Sequence, residues 1–141
     1  MSDQISVTGH CMCGEVSIEA NLINNEVGVC HCKDCRRWSG SPFMSVESYA
    51  DDVVINGQEL VAIYNSSDWA ERGFCSKCGS NLFYRLKENQ KYFLLAGLFE
   101  QEDEFAMDHQ IFIDRKPDFY SFANKTKNLT AEETIAMFSS D

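Results

Sequence analysis

The seven cysteines of this chain fall into three tight groups. Cys11 and Cys13 flank one residue and are followed by Gly14. Cys30, Cys32 and Cys35 lie in Cys30-His31-Cys32-Lys33-Asp34-Cys35. Cys75 and Cys78 bracket two residues and are followed by Gly79. Thiolates at such spacing can share one soft cation. In an extended segment residues i and i+2 point to the same side. A Cys-x-x-Cys turn folds back so that both sulfurs aim at one point, about 2.3 Å from a Zn²⁺. Gly14 and Gly79 stand where a tight turn favours a residue without Cβ. Buried free thiols behaving as small hydrophobes account for one or two cysteines, not for three clusters. A disulfide framework suits an even count in a secreted chain, and a thioredoxin-like pair wants a βαβ setting that the pattern lacks. The spacing points to zinc.

Seven thiolates divide as four plus three. Four close a tetrahedron and make a structural site, whereas three leave a vertex for water or substrate. The zinc-ribbon division joins Cys32 and Cys35 to Cys75 and Cys78 and leaves Cys11, Cys13 and Cys30. The other division joins Cys11 and Cys13 to Cys75 and Cys78 and leaves Cys30, Cys32 and Cys35. The second keeps each cluster intact and is preferred on that ground.

The residues beside the triad suit an anionic ligand. Arg36 and Arg37 follow Cys35, and Lys33 lies within the loop. Guanidinium groups match carboxylates and also balance the charge of a thiolate-rich zinc; the plainer alternative is a solvated surface charge. Ser39, Gly40 and Ser41 form a small polar stretch that lets backbone N–H groups approach a ligand, or else an ordinary turn. His31 sits between two ligands. It is a candidate to close a Cys₃His site, and it and His109 are candidate proton carriers near neutral pH, but a single histidine is more often incidental and neither is counted as catalytic. Trp38, Phe43, Trp69 and Phe74 flank the clusters and are expected mostly to pack around the metals and keep water out.

Short strands must carry these loops. Val16, Ile18 and Ala20 alternate with polar residues, as in a half-buried strand. Strands are expected at Val53 to Ile55, Leu60 to Tyr64, Leu82 to Leu86, Tyr92 to Leu95 and Ile111 to Ile113. Asn56-Gly57 tolerates the positive φ angles of a tight hairpin between the first two of these. Thr130-Ala131-Glu132-Glu133 matches a capping box and starts a short C-terminal helix with Ala131, Ile135 and Phe138 roughly on one face. The reading is a β-rich single domain over 1–141, a length that buries roughly 68–70% of the unfolded surface.

The formal net charge is −10, which argues against generic binding to nucleic acid or to an anionic membrane. Seven zinc-bound thiolates would take it to about −13, because ligating thiols are deprotonated. Met1 to His10 has neither a basic start nor an apolar stretch of signal-peptide length. With unpaired thiols, that predicts a cytoplasmic protein.

The motifs resemble a known family. Cys11-x-Cys13-Gly14, Cys30-His31-Cys32-x-x-Cys35-Arg36-Arg37-x-x-Gly40-Ser41-Pro42-Phe43 and Arg72-x-Phe74-Cys75-x-x-Cys78-Gly79-Ser80-x-Leu82 are similar to those of the glutathione-dependent formaldehyde-activating enzymes, a family that includes centromere-protein-V-like proteins. The resemblance runs from about Gly9 to Tyr84, with weaker similarity through Gly97-Leu98 and His109 to Pro117. It implies a mainly β fold of stacked, twisted antiparallel sheets around zinc, a β-tent-like fold. It implies two zinc ions, a structural one on Cys11, Cys13, Cys75 and Cys78 and a catalytic one on Cys30, Cys32 and Cys35. It implies a carbon–sulfur lyase that joins glutathione to formaldehyde, giving S-hydroxymethylglutathione. A carrier of glutathione or another small thiol, and a purely structural zinc domain, are the alternatives, since thiols add to formaldehyde without a catalyst. The chain departs from the family at Gly97-Leu98-Phe99-Glu100, where Gly-x-Leu-Asp is usual, and at Phe119, where Trp is common. Both positions lie outside the metal motifs.

Overall fold

Eleven strands and two helices account for the ordered framework of the computed structural model, which describes residues 4–139, with the side chains of 4–138. The strands are β1 (Ile5–His10), β2 (Ser17–Leu22), β3 (Glu26–Cys30), β4 (Phe43–Tyr49), β5 (Val53–Asn56), β6 (Val61–Tyr64), β7 (Ala70–Cys75), β8 (Asn81–Leu86), β9 (Lys91–Leu95), β10 (Ala106–Ile111) and β11 (Lys127–Asn128). The helices are α1 (Lys33–Ser39) and α2 (Ala131–Ser139). The fold is mainly β with a short C-terminal helix, as the sequence implies. The chain divides into two compact units, Met1–Asn25 with Ser45–Phe105 and Glu26–Met44 with Ala106–Asp141.

In the first unit, β1-β2-β5 form an antiparallel sheet, and the Ser45–Tyr49 part of β4 begins an antiparallel run β4-β9-β8-β7-β6. The alternation expected around β2 is present: Val16, Ile18, Ala20 and Leu22 are buried while Glu19 and Asn21 are exposed. Phe83 and Leu94 add bulk to the core. Gly57 does adopt φ +84°, but no hairpin follows. β5 pairs with β2 and β6 with β7, so the chain changes sheets through a 3₁₀ turn at Gln58–Leu60. A Cβ on Gly57 would also lie 2.2 Å from the Glu15 carbonyl oxygen, so close backbone approach excludes a side chain there.

Gly73 on β7 has a different reason to lack a side chain. Its Cβ would lie 2.3 Å from the Phe83 ring, which is buried and packs edge-on against Tyr92 with 4.9 Å between centroids. The ring has no room to yield. Gly73→Ala is expected to cost about 1–3 kcal/mol through overpacking, read as a lower urea midpoint with an unchanged slope.

In the second unit, β10 runs parallel to both β3 and β11. β10 occupies Ala106–Ile111, so the strand expected at Ile111 to Ile113 is only its end. Phe112 turns to φ 54° and a 3₁₀ turn follows at Ile113–Arg115. The capping box forms as read: the Thr130 N–H donates to Glu133 Oε1 at 2.8 Å and the Glu133 N–H to Thr130 Oγ1 at 3.2 Å. The buried stripe of α2 is Ala131 and Thr134, whereas Ile135 is 56% exposed and Phe138 38%, contrary to the expected face. Thr134 tolerates burial because its hydroxyl donates to the Thr130 carbonyl at 2.8 Å. No helix among the described residues is long and apolar enough to cross a membrane.

Candidate metal centre and ligand pocket

Cys11, Cys13, Cys75 and Cys78 come together in the first unit, all four Sγ atoms within 4.8 Å of one another. Cys11 and Cys13 sit in the connection between β1 and β2. Cys75 ends β7, and Cys78 lies in the turn before β8. The first pair is held by a turn rather than by the extended segment that i, i+2 spacing suggests: the Gly14 N–H donates to the Cys11 carbonyl at 3.0 Å. The turn brings Cys11 Sγ and Cys13 Sγ to 3.5 Å. The second pair has the matching contact, the Gly79 N–H donating to the Cys75 carbonyl at 2.7 Å. Gly14 and Gly79 adopt φ +80° and +81°, the left-handed values for which a residue without Cβ is needed. Ser80 ties the two loops by accepting from the Met12 N–H at 3.0 Å while its oxygen lies 3.3 Å from Cys78 Sγ.

The donor set fits a tetrahedral dication. Sulfurs 2.3 Å from a common centre stand about 3.8 Å apart, and Cys13 Sγ is 3.9 Å from Cys75 Sγ. Acidity agrees. The Ser80 hydroxyl, its N–H and the Cys13 N–H draw the Cys78 thiol down to about 5. The Glu15 N–H favours the Cys13 thiolate, but burial and the Cys11, Cys78 and Cys75 sulfurs outweigh it and push that thiol up to about 11. Four crowded thiols cannot all ionise unless a cation sits among them, and a bound Zn²⁺ reverses that balance.

Cys30, Cys32 and Cys35 form the second cluster, wholly within the second unit, with their Sγ atoms within 4.8 Å of one another. Cys30 ends β3, Cys32 is the N-cap of α1, and Cys35 lies in the helix itself. The Cys35 N–H donates to Cys32 Sγ at 3.4 Å, so a thiol takes the place usually held by Ser, Thr, Asp or Asn. Gly40 ends the helix at φ 75°, its N–H donating to the Arg36 carbonyl at 2.8 Å. Contacts with Cys32 and Cys35, then burial, push the Cys30 thiol far up. Here too a cation is what would let all three sulfurs ionise together.

His31 is not a fourth ligand. It is fully buried, its Nε2 lies 2.7 Å from Gln110 Oε1 and its Nδ1 lies 2.8 Å from the Tyr120 hydroxyl, so both nitrogens are used away from the sulfurs. Burial holds its pKa below the usual value; Gln110 opposes this, and the Lys116 and Arg36 charges add to it. His109 instead pairs with Asp108 at 3.0 Å and lies over Gly28, where a Cβ would come within 2.4 Å of the ring.

Beside α1 lies a cavity of about 170 Å³. Arg36, Arg37, Gly40 and Ser41, all expected at the site, line it together with Lys33. Its other wall is Phe119 and Tyr120, which sequence reasoning did not single out as binding residues. Arg36 also braces the triad loop: its Nε donates to the His31 carbonyl at 2.8 Å and its Nη2 to the Arg115 carbonyl at 3.4 Å. The Ser39 hydroxyl is buried, without a hydrogen-bond partner among the described residues, and does not line the cavity. Trp38 meets Phe43 at 5.9 Å between centroids, whereas Trp69 is 64% exposed and packs no core. A larger concavity of about 430 Å³ adjoins the four-cysteine cluster, but its charged lining is Glu100 and Glu102 beside His10. That sign is wrong for a carboxylate ligand, so the smaller, cationic cavity is the better candidate.

The family model described as glutathione-dependent formaldehyde-activating enzyme matches residues 6–115, which include every cysteine. The chain belongs to this family. It is 38% identical over 128 residues to an uncharacterized lyase of Schizosaccharomyces pombe, covering 90% of this chain and 93% of that relative. Its fold is similar to that of a Rhodobacter sphaeroides protein of known crystal structure, with a TM-score of 0.59 and 26% identity, over 66% of this chain and 87% of that one.

Proposed function

We propose that this protein is a zinc-dependent carbon–sulfur lyase of the formaldehyde-activating type, with its two units acting as one zinc-binding domain over 1–141. The reaction joins the sulfur of glutathione, or of a similar small thiol, to the carbon of formaldehyde. The thiol proton ends on the former carbonyl oxygen, giving S-hydroxymethylglutathione, and the step runs in both directions. Family membership and the likeness to a relative named a lyase support a lyase-type enzyme of this general kind. The observation that carries the finer reading is the three-sulfur cluster at the junction of β3 and α1, beside a cation-lined cavity, while a complete four-sulfur set lies elsewhere.

Cys11, Cys13, Cys75 and Cys78 would hold a structural zinc, and Cys30, Cys32 and Cys35 a zinc with one open position. A zinc in the triad supplies Lewis acidity and a binding position for a thiolate or a carbonyl oxygen. Lys33 and Arg37 attract the carboxylates of the thiol substrate against the negative field of the whole chain. Arg36 holds the His31 carbonyl and so keeps the Cys30–Cys32 segment in place. Tyr120, in the cavity wall, is held by a hydrogen bond to His31, which is itself bound to Gln110. In this reading the protein works in the cytoplasm, where unpaired, zinc-binding cysteines persist.

Cobalt in the triad site provides the test. Adding glutathione is expected to shift the visible spectrum toward an all-thiolate site, and an analogue lacking the thiol is expected to leave it nearly unchanged. Arg37→Ala is the clean cation variant, because Arg36 also braces the loop. It is expected to weaken the glutathione response by roughly 1 kcal/mol, about fivefold, the scale of an exposed charge pair. A spectrum indifferent to glutathione rejects this substrate.

A further inference from the structure

We infer that Phe119 is a specificity-determining residue of the thiol site. Its ring covers the anionic end of the substrate, which lies in the cavity beside α1 against Lys33 and Arg37. This rests on the activity proposed above and names the kind of thiol selected, one whose anionic group is joined to apolar or planar surface.

The two sides of the cavity differ in kind. One is cationic, with Lys33, Arg36 and Arg37 of α1. The other is aromatic, with Phe119 and Tyr120, and Gly40 and Ser41 complete the lining. No acidic side chain among the described residues lines it. Arg36 has two donors committed to the His31 and Arg115 carbonyls, so Lys33 and Arg37 are the cations better placed to take an anion. Charge alone, however, leaves the aromatic side unused.

Phe119 is 82% exposed, more than any other Phe, Tyr or Trp among the described residues. Its position is nonetheless built. Phe119 lies in a turn at Asp118 and Phe119, and one ammonium ties the two flanks of that turn together. Lys116 Nζ donates to the Pro117 carbonyl at 3.1 Å, to the Tyr120 carbonyl, and to Ser121 Oγ at 3.3 Å. An ammonium has three donors, and all three are spent on this clasp. The same nitrogen lies 5.3 Å from the centroid of the Tyr120 ring. Tyr120 in turn stacks on the buried His31 ring with 5.5 Å between centroids. Phe119 meets Tyr120 at 5.0 Å and 75°, a contact that leaves most of the Phe119 ring in water. A ring fixed in that way forgoes a burial that a ligand in the adjoining cavity restores.

The chemistry of the ligand follows from the two sides together. A small inorganic anion satisfies the cations and covers little of the ring. A neutral thiol such as 2-mercaptoethanol brings no charge to Lys33 and Arg37. A thiol whose carboxylate is carried on methylene or planar amide groups satisfies both sides, and glutathione is of that class. The volume of about 170 Å³ is smaller than the roughly 300 Å³ at which ordinary ligand sites begin. One end of such a molecule therefore enters, and the sulfur remains outside.

Titration of the cobalt-loaded triad with two thiols tests this, glutathione with its anionic ends and 2-mercaptoethanol with none. Phe119→Ala is expected to raise the glutathione midpoint about three- to tenfold, the effect of leaving roughly 30–55 Å² of apolar surface uncovered. The 2-mercaptoethanol midpoint and the melting temperature are expected to stay unchanged, because the exposed side chain packs no core. A role confined to shaping the turn or the metal loop would move both midpoints together. An unchanged glutathione midpoint in Phe119→Ala, or parallel shifts for the two thiols, overturns this inference and leaves the proposed activity standing. A wild-type spectrum that responds to 2-mercaptoethanol but not to glutathione overturns the choice of glutathione and this inference together.

Discussion

Cys78→Ala is expected to abolish the cooperative unfolding transition of the first unit, whereas Cys35→Ala is expected to leave a folded chain that still holds one zinc. The four-sulfur cluster draws one pair from the β1–β2 connection and the other from the β7–β8 turn, and these strands belong to different sheets of that unit. A zinc there cross-links the two sheets. Structural zinc is worth roughly 10–16 kcal/mol of apparent binding free energy near neutral pH, comparable with the whole stability of an ordinary domain, about 5–15 kcal/mol. Removing one ligand opens the tetrahedron and leaves three crowded thiols, whose ionisation the Cys13 shift shows to be unfavourable without the cation. The triad instead joins the end of one strand to the start of the adjoining helix, between Cys30 and Cys35. Its metal constrains little chain. Circular dichroism against temperature, with zinc content by atomic emission, separates the cases. A folded Cys11→Ala beside a collapsed Cys35→Ala would restore the zinc-ribbon division.

What could be read from the sequence was what depends on neighbours in the chain. Cysteine spacing revealed the clusters, because a tight turn brings both sulfurs of a pair toward one point. Gly14 and Gly79 were legible for the same reason, and so was the reciprocal bonding of Thr130 and Glu133. Helix α1 escaped notice, since its N-cap is Cys32 and a thiol gives no ordinary capping signal. The Asn56-Gly57 hairpin failed because turn chemistry sets a local angle but not the strand that will be paired. The buried stripe of α2 was misassigned, since the Thr134 hydroxyl satisfies itself on the Thr130 carbonyl and the larger apolar residues stay outside. Tyr120 had no local signal at all. Its partner His31 is 89 residues away, and only the folded second unit, with Gln110 on β10 beside β3, brings them together.

The largest expected effect on activity comes from Cys32, and it needs a variant that separates two roles. The Cys32 sulfur accepts from the Cys35 N–H as the cap of α1 and is also one of the three zinc ligands in the proposed mechanism. Cys32→Ala removes both, and loss of a cap alone costs roughly 0.5–2 kcal/mol of stability. Cys32→Ser keeps a capping oxygen yet replaces a soft thiolate with a hydroxyl that does not ionise near neutral pH. Both variants are expected to exchange formaldehyde with glutathione no faster than the uncatalysed reaction, as followed by exchange NMR. Cys32→Ser should do so with a melting temperature close to that of the parent. Acceleration that survives in Cys32→Ser would show that the triad metal is not where the chemistry occurs. If the unaltered protein binds glutathione and shifts its cobalt spectrum without accelerating exchange, the protein is a thiol carrier. The distinction matters because the carbon–sulfur bond forms unaided, so that binding alone would imitate catalysis in any assay that reads only product.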